Sequence, residues 1–295
     1  MRAMTVLRNR SVNTQEQTSQ VIAASIQNLS QAGQGAMPAM YSLKRTVQRK
    51  RLAVVAAPPN PQTLEDLVIP ENFTRYEREP GQWENFLLYD SGRDSGQNRI
   101  LIFSTRRSIE ILERSSHWAM DGTFSIAPPL FSQVYSIHAD HLSRSQPLVV
   151  ALLPNKRRTT YEAFLTEVMN LANNPLQPAT VITDFEMAAI QAVGHMFPNA
   201  SRTGCFFHLT KSIHRRIQSV GLQEQYENDA NFAMQCRMIS AIAFVPPAGV
   251  VAAFEALTDE LPVGLNPILD YFEDNYIGRP DRRGVRRQPL FPIHL

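Results

Sequence analysis

The sequence predicts an α/β fold: a mixed sheet flanked by helices, with a further helical region toward the C-terminus. Three observations carry this. β-Branched or alternating apolar runs of strand length recur between residues 100 and 209. The apolar period changes to helical spacing at 159–174, 186–197 and 209–220. Hydrophobic residues make up 43% of the 295 and charged residues 19%, enough to bury a core and too apolar for a wholly disordered chain.

Residues 1–20 are rich in Asn, Gln, Ser and Thr and are expected to lack order. Residues 20–34 can form a short helix, and 37–56 carry the basic cluster Lys44, Arg45, Arg49, Lys50 and Arg51. The run PPNPQ at 58–62 reads as a linker that closes a basic N-terminal segment, 1–57, and opens a lead-in, 58–99. Residues 64–90 read as short irregular or extended pieces, with a turn at Pro80-Gly81 and a strand in NFLLYD. ILIF (100–103) reads as a strand and RRSIEILERS (106–115) as a short helix. WAMDGTFSI, FSQVYSIHADHL and QPLVVALLP are three strand runs, the last two parted by a polar turn at Ser143-Arg144-Ser145. Short connections between them predict an antiparallel meander.

Tyr161, Phe164, Leu165 and Val168 then follow helical spacing, with Thr159 or Thr160 able to cap the start. ATVITD is a strand, 186–197 a helix, RTGCFFHL (202–209) a strand, and 209–220 a helix buried through Leu209, Ile213 and Ile217. The core therefore spans 100–221, a helical segment 222–278, and a basic tail 279–295. The order β-β-β-α-β-α-β-α is that of the RNase H-like fold.

The net charge of +2 conceals a division. Residues 1–52 carry eight Lys or Arg against one acid, and 279–287 carry five Arg against one Asp; the stretch between is acidic, at −9. Basic ends suit a polyanion, nucleic acid above all, and equally suit solvated tails. No run approaches the ~20 apolar residues of a membrane helix, so no span is expected. The first residues lack the apolar stretch of a secretory signal. Cys205 and Cys236 are the only cysteines, which excludes a disulfide scaffold and fits a reducing compartment.

Two acids stand out by position. Asp121 lies in WAMDGTF, and Asp184 ends ATVITD just before a helix. An acid on an apolar strand costs desolvation unless it is hydrogen-bonded or binds a cation. On neighbouring strands the two carboxylates would stand side by side and suit Mg²⁺ or Mn²⁺. Alternatively, Asp121 opens a turn with Gly122 and Asp184 caps the next helix. Cys205 and His208 form a CxxH pair. Zinc is not expected there, because a structural site needs four ligands and His214 and Cys236 do not supply a known spacing. Lys211 and Arg215 share a helix face with His208, where they either contact phosphates or are solvated.

DGTF at 121–124, Pro154 with Tyr161 and Phe164, TDFE at 183–186, FPNASRTGCFFHL at 197–209 and AFVPPAGVVAAFEAL at 243–257 together resemble a Mutator-like element (MULE) transposase. The likeness is to animal MULE-type proteins that often carry an N-terminal FLYWCH zinc finger. It covers roughly 100–295, and more weakly 20–52. It implies an RNase H-like domain with a DDE triad and divalent metal, acting on DNA in the nucleus, or otherwise a cytoplasmic protein. Asp121 then corresponds to the first acid, Asp184 to the second, and Cys205 and His208 to the CxxH signature. In relatives the third acid, a Glu, follows a helical insertion like 222–278, so the resemblance places it beyond Leu295. Glu255, Asp259, Glu260, Asp270, Glu273 and Asp274 are not expected to substitute, the 270–274 group reading as solvated. The first 100 residues hold no Cys or His, so no FLYWCH finger is expected. Three readings follow: a DDE transposase domain, incomplete or impaired as it stands; a non-catalytic, domesticated or fragmentary transposase-derived protein that binds DNA or a protein partner; or a fragment whose full product continues beyond Leu295. The basic ends imply DNA contact, Lys44–Arg51 also fits a nuclear import signal, and self-association is open.

Overall fold

The computed structural model describes residues 2–14, 16–54, 60–142 and 144–295. Pro58 and Pro59 of the expected linker, and Ser143 of the expected turn, lie outside the described residues. The chain divides into two compact units, Met1–Asn60 and Pro61–Leu295.

The first unit is helical: α1 (Arg2–Asn13), α2 (Thr18–Ile26), the short α3 (Gln31–Gly35) and α4 (Met40–Val54). Residues 2–13 were expected to lack order and instead form α1. Their composition is polar, but Leu7 finds Val21, Ile22, Leu43 and Val47 and is fully buried with them. Arg51 is held by this unit. Its guanidinium donates to the carbonyls of Ser11 (3.1 Å), Thr14 (3.3 Å) and Glu16 (2.5 Å), meeting acceptors that the end of α1 leaves open. Lys44, Arg45, Arg49 and Lys50 are exposed on α4.

In the second unit, β1 (Arg75–Glu79) and β2 (Gln82–Asn85) form a hairpin around the expected Pro80-Gly81 turn. A seven-stranded sheet follows, built from β3 (Leu87–Asp90), β4 (Leu101–Phe103), β5 (His117–Thr123), β6 (Gln133–His141), β7 (Arg144–Leu153), β8 (Thr180–Thr183) and β9 (Ser201–Gly204), in the order β3-β4-β7-β6-β5-β8-β9. β5, β6 and β7 are the antiparallel meander, while β8 pairs parallel to β5 and β9 parallel to β8. This is the RNase H-like arrangement, extended at one edge by β3 and β4.

Helices α5 (Arg106–Arg114), α6 (Arg158–Leu171) and α7 (Met187–Met196) bury Ile109, Leu112, Tyr161, Phe164, Val168 and Val193 with Trp118, Ile137, Val149 and Val181 of the strands. α6 begins one residue earlier than expected, and neither Thr159 nor Thr160 caps it. Thr160 Oγ1 instead donates to Asn155 Oδ1, which also accepts the Arg157 N–H. The expected strand 202–209 stops at Gly204, and Phe206–Ser219 is helix α8. Leu209 belongs to the buried stripe with Ile213 and Ile217, so the helical period wins over the short β-like run. A second core joins α8 to α10 (Ala230–Ala241), α11 (Val250–Glu260) and α12 (Asn266–Phe272) through Ile217, Cys236, Phe254 and Phe272; α9 (Gln223–Asn228) connects α8 to α10. No helix among the described residues is long and apolar enough to cross a membrane.

The sheet edge carries a buried ion pair. Arg99 donates from Nε and Nη2 to the Asp90 carboxylate (2.8 and 2.6 Å) and from Nη1 to the carbonyls of Leu64 and Leu67 (both 2.8 Å). Burial pushes the Asp90 carboxyl up, but these bonds and the Gly92 N–H outweigh it and hold it below its ordinary range. Arg99→Met leaves Asp90 with only the Gly92 N–H and strips the Leu64 and Leu67 carbonyls of their Arg99 donor. It is expected to lower unfolding stability by about 3 kcal/mol, read from the denaturant midpoint; a change below ~1 kcal/mol would show that the pair is not a fastener.

Two of the five arginines of the basic tail are committed to ion pairs. Arg279 pairs with Asp270 (3.3 Å) and Asp274, and Arg286 with Glu255 (2.8 Å) and Glu273 (2.7 Å). Asp270 and Asp274 are exposed, as expected, although each pairs with Arg279; Glu273 departs from the expectation, being mostly buried against Arg286. Arg282, Arg283 and Arg287 remain exposed.

Candidate active site

The parallel pairing of β5 with β8 sets the site. Its ladder matches Met120 with Thr183, so the next residues along the two strands are Asp121 and Asp184. Alternation sends Trp118, Met120, Val181 and Thr183 into the core and leaves Ala119, Asp121, Ile182 and Asp184 on a cleft of about 780 Å³. Asp121 opens no turn, because β5 runs on to Thr123. Asp184 caps no helix: Glu186 holds the cap position of α7, without a side-chain cap bond.

Asp121 Oδ1 and Asp184 Oδ1 are both buried with no hydrogen-bond partner. Burial, then the neighbouring Glu186 and Asp121 charges, push the Asp184 carboxyl up to about 7, with Lys156 opposing. Gly122 makes room for this geometry, since a Cβ there would stand 2.7 Å from Gln133 Oε1. Glu186 is held from two sides. Tyr161 donates its hydroxyl to Oε1 (2.6 Å) while accepting from Gln133 Nε2 (2.7 Å), and Lys156 Nζ lies 3.4 Å from Oε2. Burial first, then the bond to Glu186, push the Tyr161 phenol up and keep it a donor.

α8 supplies the opposite wall. Cys205 stands at its N-cap, and His208, Lys211 and Arg215 follow on one face, all lining the cleft. His208 Nε2 is 3.4 Å from Asp121 Oδ1. On β6, His138 Nε2 and Ser136 Oγ are 2.9 Å apart, and burial pushes the His138 ring down despite the Asp121 charge. Six expected residues thus meet in one cleft: Asp121, Asp184, Cys205, His208, Lys211 and Arg215. Cys236 is buried in the second core, apart from Cys205. Lys44, Arg45, Arg49, Lys50 and Arg51 belong to the other unit. Sequence reading gave no role to Phe124, His138, Lys156, Glu186 or Phe207; Phe124 and Phe207 lie inside the DGTF and CxxH motifs, which is the one signal that could have flagged them.

The donor set fits a hard divalent cation. Two carboxylate oxygens are desolvated and unsatisfied, and one carboxyl is pushed up first by burial and then by neighbouring negative charges that a cation would offset. Among the described residues no three His, Cys, Asp or Glu side chains gather as one metal-holding group. Mg²⁺ is commonly held by one or two carboxylates, with water and substrate phosphate completing its shell.

No curated protein matches the chain. Residues 117–212 match the family model of the MULE transposase domain, a stretch that runs from the first residue of β5 into α8 and contains Asp121, Asp184, Cys205, His208 and Lys211, so this part of the chain is similar to that domain.

Proposed function

We propose that the domain is of the DDE transposase class and acts on DNA phosphodiesters, with Asp121 and Asp184 as its metal-holding acids. The observation that supports this best is the pair of unsatisfied, buried carboxylate oxygens at adjacent strand positions inside the matched segment. Mg²⁺ or Mn²⁺ bound there would polarise a phosphate and lower the pKa of a bound water. Asp184 holds the cation. Asp121 does the same, with His208 beside it to orient its carboxylate. Lys211 and Arg215, which have no carboxylate within ion-pair distance among the described residues, would bind strand phosphates. Cys205 and His208 act as cleft residues and not as zinc ligands.

A nicking assay on supercoiled plasmid with Mg²⁺ or Mn²⁺ tests this. Expected is metal-dependent nicking that Asp184→Asn abolishes; nicking unchanged in that variant would sink the assignment. Among the described residues no third acid joins the pair in one metal-holding group, since Glu186 is engaged by Tyr161 and Lys156, and this favours a second reading, a transposase-derived protein that binds DNA without cutting it. Binding without nicking would select it.

Lys44, Arg45, Arg49 and Lys50 on α4 are proposed as a further DNA contact and as a nuclear import signal. Neutralising about four phosphates predicts a slope near −3.6 in log affinity against log salt. Binding that barely changes between low and moderate salt would exclude the contact. A fluorescent fusion of the chain staying cytoplasmic would exclude the import role.

A further inference from the structure

Two phenylalanines in the cleft have no role in the core. Phe124 follows the end of β5, three residues after Asp121, and is 44% exposed. Phe207 stands in the first turn of α8, next to His208, and is 62% exposed. Single exposed apolar residues are ordinary on a protein surface. Two aromatic rings facing one carboxylate-lined cleft are less so, and each has a cation on it. Lys156 Nζ lies 3.4 Å from the centroid of the Phe124 ring, and Lys211 Nζ lies 5.5 Å from that of Phe207. Arg215 completes a basic rim one helical turn beyond Lys211.

Part-exposed aromatic rings beside the cations Lys211 and Arg215 are the chemistry that grips single-stranded nucleic acid: the rings stack on bases and the cations follow the backbone. A duplex bound only through phosphates would have no use for the rings, because its bases are stacked inside. A base reaches them only when unpaired or turned out of the helix.

We propose that Phe124 and Phe207 form a stacking subsite for one unpaired nucleobase of the DNA strand held at Asp121 and Asp184. The proposal rests on the DNA reading above and adds to it a preference for an unpaired base at the reacting position. Lys156 orients the Phe124 ring while it pairs with Glu186, and Lys211 holds the phosphate beside the base.

The test uses the full chain without divalent metal and three labelled DNA duplexes. One carries a single unpaired thymine, one an abasic residue at that position, and one is fully paired. Fluorescence anisotropy is expected to give tighter binding to the thymine bulge than to its abasic twin, by on the order of 10-fold. Phe207→Leu and Phe124→Leu keep apolar bulk without a π face. Each is expected to erase that preference while leaving affinity for the paired duplex unchanged, and Phe207→Tyr is expected to retain it. Both sites are exposed enough that the variants should fold, which circular dichroism checks. Equal wild-type affinity for the thymine and abasic duplexes overturns the subsite and leaves the DNA reading standing. So does a preference that survives both Leu variants. Failure of the wild-type chain to bind any of the three duplexes overturns both.

Discussion

Asp184→Asn is expected to raise thermal stability at pH 8 and to abolish the stabilisation that Mg²⁺ or Mn²⁺ gives the wild-type chain. The carboxyl sits at about 7 in the fold against an ordinary 3.8, because burial and the Glu186 and Asp121 charges disfavour its ionised form. The folded state therefore binds more protons than the unfolded chain between those two values. Stability present below about pH 4 is lost as pH rises through about 7. Above that, wild-type Asp184 is ionised and unsatisfied, whereas Asn carries no charge. The cleft is open to water, so the gain is discounted to roughly 2 kcal/mol. Metal binding to the native state stabilises wild type by mass action, and the variant loses a charged ligand. Melting curves at pH 5 and pH 8, with and without millimolar Mg²⁺, measure both effects. A variant no more stable at pH 8 than wild type, with the same metal response, would remove Asp184 from the site.

Gly278→Ala is expected to cost about 4 kcal/mol, the largest loss among the Gly→Ala variants. Gly278 is buried at φ +85°, in the left-handed region, and a Cβ there would lie 1.8 Å from the Arg287 carbonyl oxygen. That oxygen is backbone and has little freedom to retreat. Residues 279–287 turn back on themselves at this point: Arg287 N–H donates to the Arg279 carbonyl, and Arg286 Nη1 to the Gly278 carbonyl. The chain then carries Phe291 onto Phe185 and Tyr276, at ring separations of 5.1 and 5.7 Å. Phe185 directly follows Asp184, so loosening the turn also loosens the end of β8. Gly284→Ala is the control. It has a similar φ, +78°, with nothing within 4 Å of an added Cβ, and should cost about 1 kcal/mol. Equal losses in the two variants would mean that backbone strain alone, and not the Arg287 contact, sets the effect.

Much of the fold was legible because burial leaves a periodic trace. Trp118, Met120, Ile137, Val149 and Val181 alternate along strands that each bury one face, and Phe164, Leu165 and Val168 repeat at helical spacing. Where apolar residues are sparse the trace fails. Leu7 is the one fully buried large apolar residue of α1, and its partners lie 14 to 40 positions away, so nothing local announces the helix. The run 202–209 misled for the opposite reason: its apolar residues suit a short strand locally, and only packing against Ile213 and Ile217 selects a helix from Phe206 onward.

By itself the sequence determined the order of strands and helices, the placing of Asp121 and Asp184 on apolar strands, and the likeness to a MULE transposase. Those properties are local, written in the spacing of apolar residues and in the identity of single side chains. Tertiary structure decided that β8 pairs parallel to β5 in a register that sets the two acids side by side. It also brought His208, Phe124, Phe207 and Lys156 to that cleft and tied Arg279 and Arg286 to the acids of the helical region. Desolvation, ion pairing and ring stacking depend on distance in space. Residues such as Phe124 and Phe207, 83 positions apart in the chain, acquire a shared role only when the sheet and α8 close on one another.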